Sequence, residues 1–134
     1  MFSEKHVDLS NILVVDDEEN TRLGLRLLLQ GEGYTVRTAE HGLAALQALH
    51  YYPSDLVLTD LDMPQMNGFE FLEIVRQDFP HVRVIIMSSL GSMPTYLDVH
   101  SSGVCGFLHK PVTLEALRKA IDKSLTDNVV TGEL

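Results

Sequence analysis

Residues 55–68 read DLVLTDLDMPQMNG, an apolar run that turns abruptly acidic. Leu56, Val57 and Leu58 have the character of a short buried strand; Thr59, Asp60 and Asp62 follow at once, and Pro64 and Gly68 close the stretch. A carboxylate beside a hydrophobic strand is costly unless something compensates its charge. Two acids at the mouth of a core strand therefore need a reason.

The same pattern recurs along the chain. NILVV (11–15) is a five-residue apolar run ending in Asp16 and Asp17. EENTRLGLRLLLQ (18–30) carries Leu25, Leu28 and Leu29 at helical spacing and stops at a Gly-Glu-Gly stretch. YTVRT (34–38) reads as a strand, GLAALQALH (42–50) as a helix broken before Pro53, and DLVLT (55–59) as the third strand. GFEFLEIVRQDF (68–79) reads as a helix with Phe69, Leu72 and Val75, or Phe71, Ile74 and Val75, turned inward. VRVIIM (82–87) is a β-branched fourth strand, Pro94 to about Ser101 a short helix with Pro in its first turn, and GFLHK (106–110) the fifth strand and its exit. TLEALRKAIDKSL (113–125) is the last helix, with Thr113 as its N-cap. Five strands alternating with five helices predict an α/β fold, a doubly wound parallel sheet covered on both faces.

Bulk properties are consistent with one such domain. The chain has 134 residues, 45% hydrophobic and 22% charged, the balance of a globular domain with a sizeable core. A net charge of −9 disfavours binding of nucleic-acid backbones by this chain. The single cysteine, Cys105, allows no internal disulfide and fits a reducing compartment. The first residues lack the apolar core of a signal peptide, and no run reaches membrane-spanning length, so a cytoplasmic location without membrane contact is expected. The reading divides the chain into an N-terminal extension (1–10), one domain (11–125) and a C-terminal tail (126–134).

In an open parallel sheet, ligands bind beyond the carboxyl ends of the strands. The first strand delivers Asp16 and Asp17 to that edge, the third Asp60, the fourth Ser88 and Ser89, and the fifth Lys110. Clustered carboxylates repel unless a cation joins them. A hard divalent ion suits oxygen ligands, and Mg²⁺ in particular binds few carboxylates together with phosphate. Lys110 suits a phosphoryl oxygen, and Ser88 can donate a hydrogen bond to the same group. Together these parts suggest phosphoryl transfer to a carboxylate.

This constellation resembles the receiver domain of two-component response regulators, chemotaxis-regulator-like, over about residues 11 to 125. The acidic pair appears as VVDD, the phosphoacceptor motif as TDLDMPQMNG, the hydroxyl as Ser88 in VIIMSS, and the Lys-Pro pair as Lys110 and Pro111; Phe107, three residues before the lysine, matches the switch aromatic. The resemblance implies a flavodoxin-like sheet of order 2-1-3-4-5. It implies Asp60 as acceptor from a sensor histidine kinase or phosphotransfer protein. Mg²⁺ (or Mn²⁺) would be held by Asp17, Asp60 and the Asp62 backbone carbonyl, with Asp16 acting through water. Ser88 and Lys110 would contact the phosphoryl group, Phe107 would turn inward, and Lys110–Pro111 would be cis. The output face would comprise the fourth helix, fifth strand and fifth helix, and phosphorylation would promote self-association there. Such a module is a phosphoacceptor switch, not an enzyme, although it assists its own phosphorylation and dephosphorylation. Asp62, two residues past the acceptor, falls where the family varies, and its charge is expected to alter the lifetime of the phosphorylated form.

Plainer readings stand beside these. Asp16 and Asp17 could be a helix N-terminal charge bias, Asp60 and Asp62 turn formers, and Phe107 a core residue. Cys105 reads as a small buried residue, Met63 and Met66 as packing, and His109 as pointing away from Lys110. The alternative from the enzyme class is a haloacid-dehalogenase-like phosphatase using Asp60 and Asp62, since VLTDLD has its Asp-x-Asp. Against it, that motif lies mid-chain and no further acidic pair follows Lys110. A third reading makes the chain the regulatory part of a larger transcription factor; no helix-turn-helix pattern is present, so DNA binding by this chain is not expected.

Overall fold

Alternation along the three central strands builds the molecule. In the computed structural model, residues 11–89 and 102–126 are described. They form β1 (Asn11–Val15), α1 (Glu19–Gly31), β2 (Thr35–Ala39), α2 (Gly42–Tyr51), β3 (Leu56–Asp60), α3 (Gly68–Asp78), β4 (Arg83–Ser88), β5 (Gly106–His109) and α4 (Leu114–Thr126). Successive strand side chains point to opposite faces. Leu13, Val15, Val57, Val84 and Ile86 therefore join Phe71, Leu72 and Val75 of α3 and Ala45 and Leu49 of α2 in one core layer. Ile12, Val14, Leu56, Leu58, Ile85 and Met87 pack on the other face with Leu25 and Leu29 of α1 and Leu117 and Ile121 of α4. Two-sided burial explains why these strands read as near-continuous apolar runs.

All five strands are parallel, in the order β2-β1-β3-β4-β5. The expected α/β sheet and its order are thus observed. Four helices lie among the described residues; the helix expected over 94–101, the 1–10 extension and residues 127–134 lie outside them.

Helix starts follow local chemistry. Asn67 caps α3 in a capping box: its side chain accepts the Glu70 N–H at 2.9 Å, and Glu70 accepts the Asn67 N–H at 2.9 Å. His41 caps α2 by accepting the Ala44 N–H. Thr113 accepts the Ala116 N–H at 3.1 Å, the N-cap expected from sequence.

Several boundaries and burials differ from the sequence reading. β3 and β4 each begin and end one residue later than expected, their ends because Asp60 and Ser88 are polar yet belong to the ladder. β2 starts at Thr35, since the Tyr34 N–H closes the end of α1 on the Leu29 carbonyl. Leu28 is 37% exposed, outside the Leu25–Leu29 stripe. α3 buries Phe71, Leu72 and Val75, drawing on both proposed faces. Cys105 is half-buried, since it lies in the loop that enters edge strand β5.

Candidate functional site

The site lies where the sheet changes direction. From β1 the chain goes outward to β2 on one side and to β3 on the other, leaving a crevice at their carboxyl ends. Asp16 follows β1 directly and Asp60 ends β3, and both are buried. One carboxylate oxygen each from Asp16, Asp17 and Asp60 lie within 4.8 Å of one another, a spacing that suits a shared cation. Asp17 is exposed and takes no hydrogen bond or ion pair among the described residues.

Lys110 closes the cluster from β5. Its Nζ stands 2.8 Å from Asp16 Oδ2 and 3.3 Å from Asp60 Oδ1. The Lys110 N–H donates to the Ser88 carbonyl, and the Lys110–Pro111 bond is cis as expected. Burial works against the ammonium charge, but the hydrogen bond and charge of Asp16, joined by Asp60, outweigh it and raise the lysine above its usual range. Burial and the neighbouring Asp16 charge push the Asp60 carboxyl up, with Lys110 and the Asp62 N–H opposing them. The cluster therefore holds more negative charge than one lysine neutralises. The donor set is all oxygen and fits a hard divalent cation.

The supporting contacts are specific. Asp16 uses both carboxylate oxygens: Oδ2 accepts from Lys110, and Oδ1 accepts the Glu18 N–H at 2.9 Å. Its carbonyl accepts from Arg22 Nη1 at 2.8 Å. Beneath Asp60, Gly68 is buried, and its N–H donates to the Leu61 carbonyl at 2.8 Å. The Asp62 N–H reaches toward Asp60 Oδ1 at 3.4 Å, a long contact, while the Asp62 side chain is exposed and outside the acidic cluster.

Ser88 is buried at the end of β4, the strand beside β3, and its hydroxyl donates to the Ser89 carbonyl at 3.1 Å. Phe107 is half-buried on β5, one strand beyond, packed against the α2–α3 core layer and edge-on to His109 at 5.6 Å between ring centres. Met63 is buried and Met66 half-buried against the core, as packing residues. His109 is exposed. Sequence reasoning passed over Arg22 and Gly68. Gly68 carried a signal, a glycine opening a helix just after the acidic stretch; Arg22 carried none, because its contact is to a backbone carbonyl.

Strand order and an acid-lined crevice define a flavodoxin-like α/β module. Residues 12–122 match the response regulator receiver domain, and the chain belongs to that family. Among curated relatives, the transcriptional regulatory protein GlrR of Escherichia coli (strain K12) is 39% identical over 116 residues, covering 87% of this chain and 26% of that protein. The DNA-binding transcriptional regulator NtrC of Proteus hauseri is 30% identical over 116 residues, covering 87% and 24%. This chain thus spans about a quarter of the length of these relatives. Among solved structures, a receiver domain protein from Clostridium thermocellum superposes with a TM-score of 0.82 at 29% identity, covering 92% of this chain and 100% of that one. The response regulator TrrA from Thermotoga maritima, solved in complex with Mg(2+)-BeF, gives 0.76 at 31% identity, covering 86% and 98%. Among the described residues, no helix is long and apolar enough to cross a membrane.

Proposed function

We propose that this receiver domain accepts a phosphoryl group on Asp60 from a phosphohistidine of a sensor kinase or phosphotransfer protein. The observation that carries this is the convergence of Asp16, Asp17, Asp60 and Lys110 at the switch point of the sheet. An Asp60 oxygen attacks phosphorus as the P–N bond breaks; the electron pair leaves on the imidazole nitrogen, and an acyl phosphate remains on Asp60. Asp17 and Asp60, with the Asp62 carbonyl, would hold Mg²⁺ or Mn²⁺, and Asp16 would act through water because both its carboxylate oxygens are engaged. The cation, when bound, would neutralise part of the charge shared by the carboxylates and the incoming phosphoryl oxygens. Lys110 would follow those oxygens as a mobile point charge, and Ser88 would exchange its bond to the Ser89 carbonyl for one to the phosphoryl group. That rearrangement would draw in the loop after β4 and allow Phe107 to turn further inward.

On this reading the domain is a switch and not an enzyme. It acts in the cytoplasm and signals through a face that includes β5 and α4 to an output domain or partner, and it self-associates when phosphorylated. Sedimentation with and without a phosphate mimic tests the last point, and an unchanged mass rejects it. The exposed Asp62 carboxylate, outside the acidic cluster, speaks against the dehalogenase-like alternative, which needs it as a second acid.

A thermal shift tests the whole reading. Beryllofluoride with Mg²⁺ raises the melting temperature of the wild type and leaves that of Asp60→Asn unmoved. An equal response of both proteins would remove Asp60 from the acceptor role.

A further inference from the structure

We propose that Arg22 is a positioning residue for the acidic site: its guanidinium grips the Asp16 carbonyl, and through that peptide it aims the Asp17 carboxylate at the space shared with Asp60. This rests on the cation-binding reading of the cluster given above. Arg22 is half-buried on the first turn of α1, and its Nη1 donates to the Asp16 carbonyl at 2.8 Å. That carbonyl belongs to the peptide unit joining Asp16 to Asp17, so holding it fixes the plane from which Asp17 departs. The rest of Asp16 is anchored too. Its N–H donates to the Ala39 carbonyl at 3.2 Å, Oδ1 accepts the Glu18 N–H, and Oδ2 accepts Lys110. Among the described residues Asp17 has no such anchors of its own, yet one of its oxygens lies within 4.8 Å of those of Asp16 and Asp60. Its aim is inherited from the peptide on its amino side, and Arg22 is the side chain that holds this peptide.

The guanidinium bonds the carbonyl and not the carboxylates, so it does not compete with a ligand for the Asp17 and Asp60 oxygens. This separates positioning from charge by sign. Arg22 is a cation near an acidic cluster, so on charge alone its removal would tighten the binding of a divalent cation. Loss of positioning weakens it.

The test is calorimetric titration of Mg²⁺ into the full chain, wild type against Arg22→Met, with melting temperatures measured in chelator. The expected result is about tenfold weaker Mg²⁺ binding, the size typical for residues that orient ligands from behind, with a far smaller change in cation-free melting. Should Arg22→Met fail to fold, Arg22→Gln, too short for the same reach, carries the same expectation. Equal or tighter binding in a folded variant overturns the positioning role. If the wild type itself takes up no Mg²⁺, the cation reading of the site falls and this inference falls with it.

Discussion

Gly68 sits so close beneath Asp60 that a Cβ on it would stand 2.9 Å from the Asp60 carbonyl oxygen and 2.9 Å from the Leu61 Cα. Both neighbours are backbone, so neither can swing aside. Gly68→Ala is therefore expected to cost about 1–3 kcal/mol, the range for overpacking a tight interior, and to slow phosphoryl uptake by shifting the backbone that carries Asp60. Urea denaturation and acetyl phosphate labelling check the two effects together. A variant as stable and as fast as the wild type would show that the acceptor loop has slack.

Asp60 is pushed above its ordinary value of 3.8 by burial and by Asp16. The sign follows from linkage: between pH 3.8 and the folded-state pKa, the folded chain binds more protons at this group than the unfolded chain, so stability falls as pH rises through that window. Asp60→Asn, which cannot ionise, is expected to melt higher than the wild type at neutral pH in chelator. The gap closes as pH falls toward the ordinary carboxylate range. Melting curves across pH 4 to 8, a window spanning about four units, read the gap directly. A lower melting temperature for Asn at neutral pH would contradict the assigned cause.

Lys110 is the opposite case, since its raised pKa means that its charge stabilises the fold at every pH below its ordinary 10.5, a contribution lost only at higher pH. Lys110→Met leaves Asp16 and Asp60 facing each other without their cation and is expected to cost about 1–3 kcal/mol in chelator. Mg²⁺ should restore more stability to this variant than to the wild type, because a bound ion replaces part of the lost charge. A ligand at a hundredfold excess over its Kd adds about 2.7 kcal/mol, enough to be read in a melt. Equal Mg²⁺ responses would place the cation away from Lys110.

Asn67 and Glu70 satisfy each other's backbone N–H groups at the start of α3. Asn67→Ala is expected to destabilise the protein by about 1 kcal/mol. Glu70→Gln can keep the reciprocal bond and should lose little. Denaturation midpoints of the two variants separate the cap from a charge effect.

Much of this was legible in the sequence. β1, β3 and β4 stood out because sheets buried on both faces favour near-continuous apolar runs, and NILVV, DLVLT and VRVIIM supply them. Their ends were missed by a residue where Asp60 and Ser88 stay in the ladder, because polarity hides a strand end. Leu28 could not be told from Leu29, since neighbouring leucines satisfy a helical period equally and only packing against the sheet chooses between them. The strand order came from the family resemblance, as spacing alone does not encode which strands pair. At the site, the acids were legible as residue types at strand ends. That Asp16 is buried and bonded while Asp17 is exposed depends on which side of the strand exit each occupies. The Arg22 grip on a carbonyl leaves no trace in residue identity, because any residue supplies a carbonyl.

The most direct measurement is the intact mass of the chain after incubation with acetyl phosphate and Mg²⁺, beside Asp60→Asn and a sample in chelator. One phosphoryl group is expected on the wild type, with none on Asp60→Asn and none without the cation. A wild type that stays unmodified while folded, even with a phosphorylated kinase as donor, would contradict the acceptor role of Asp60.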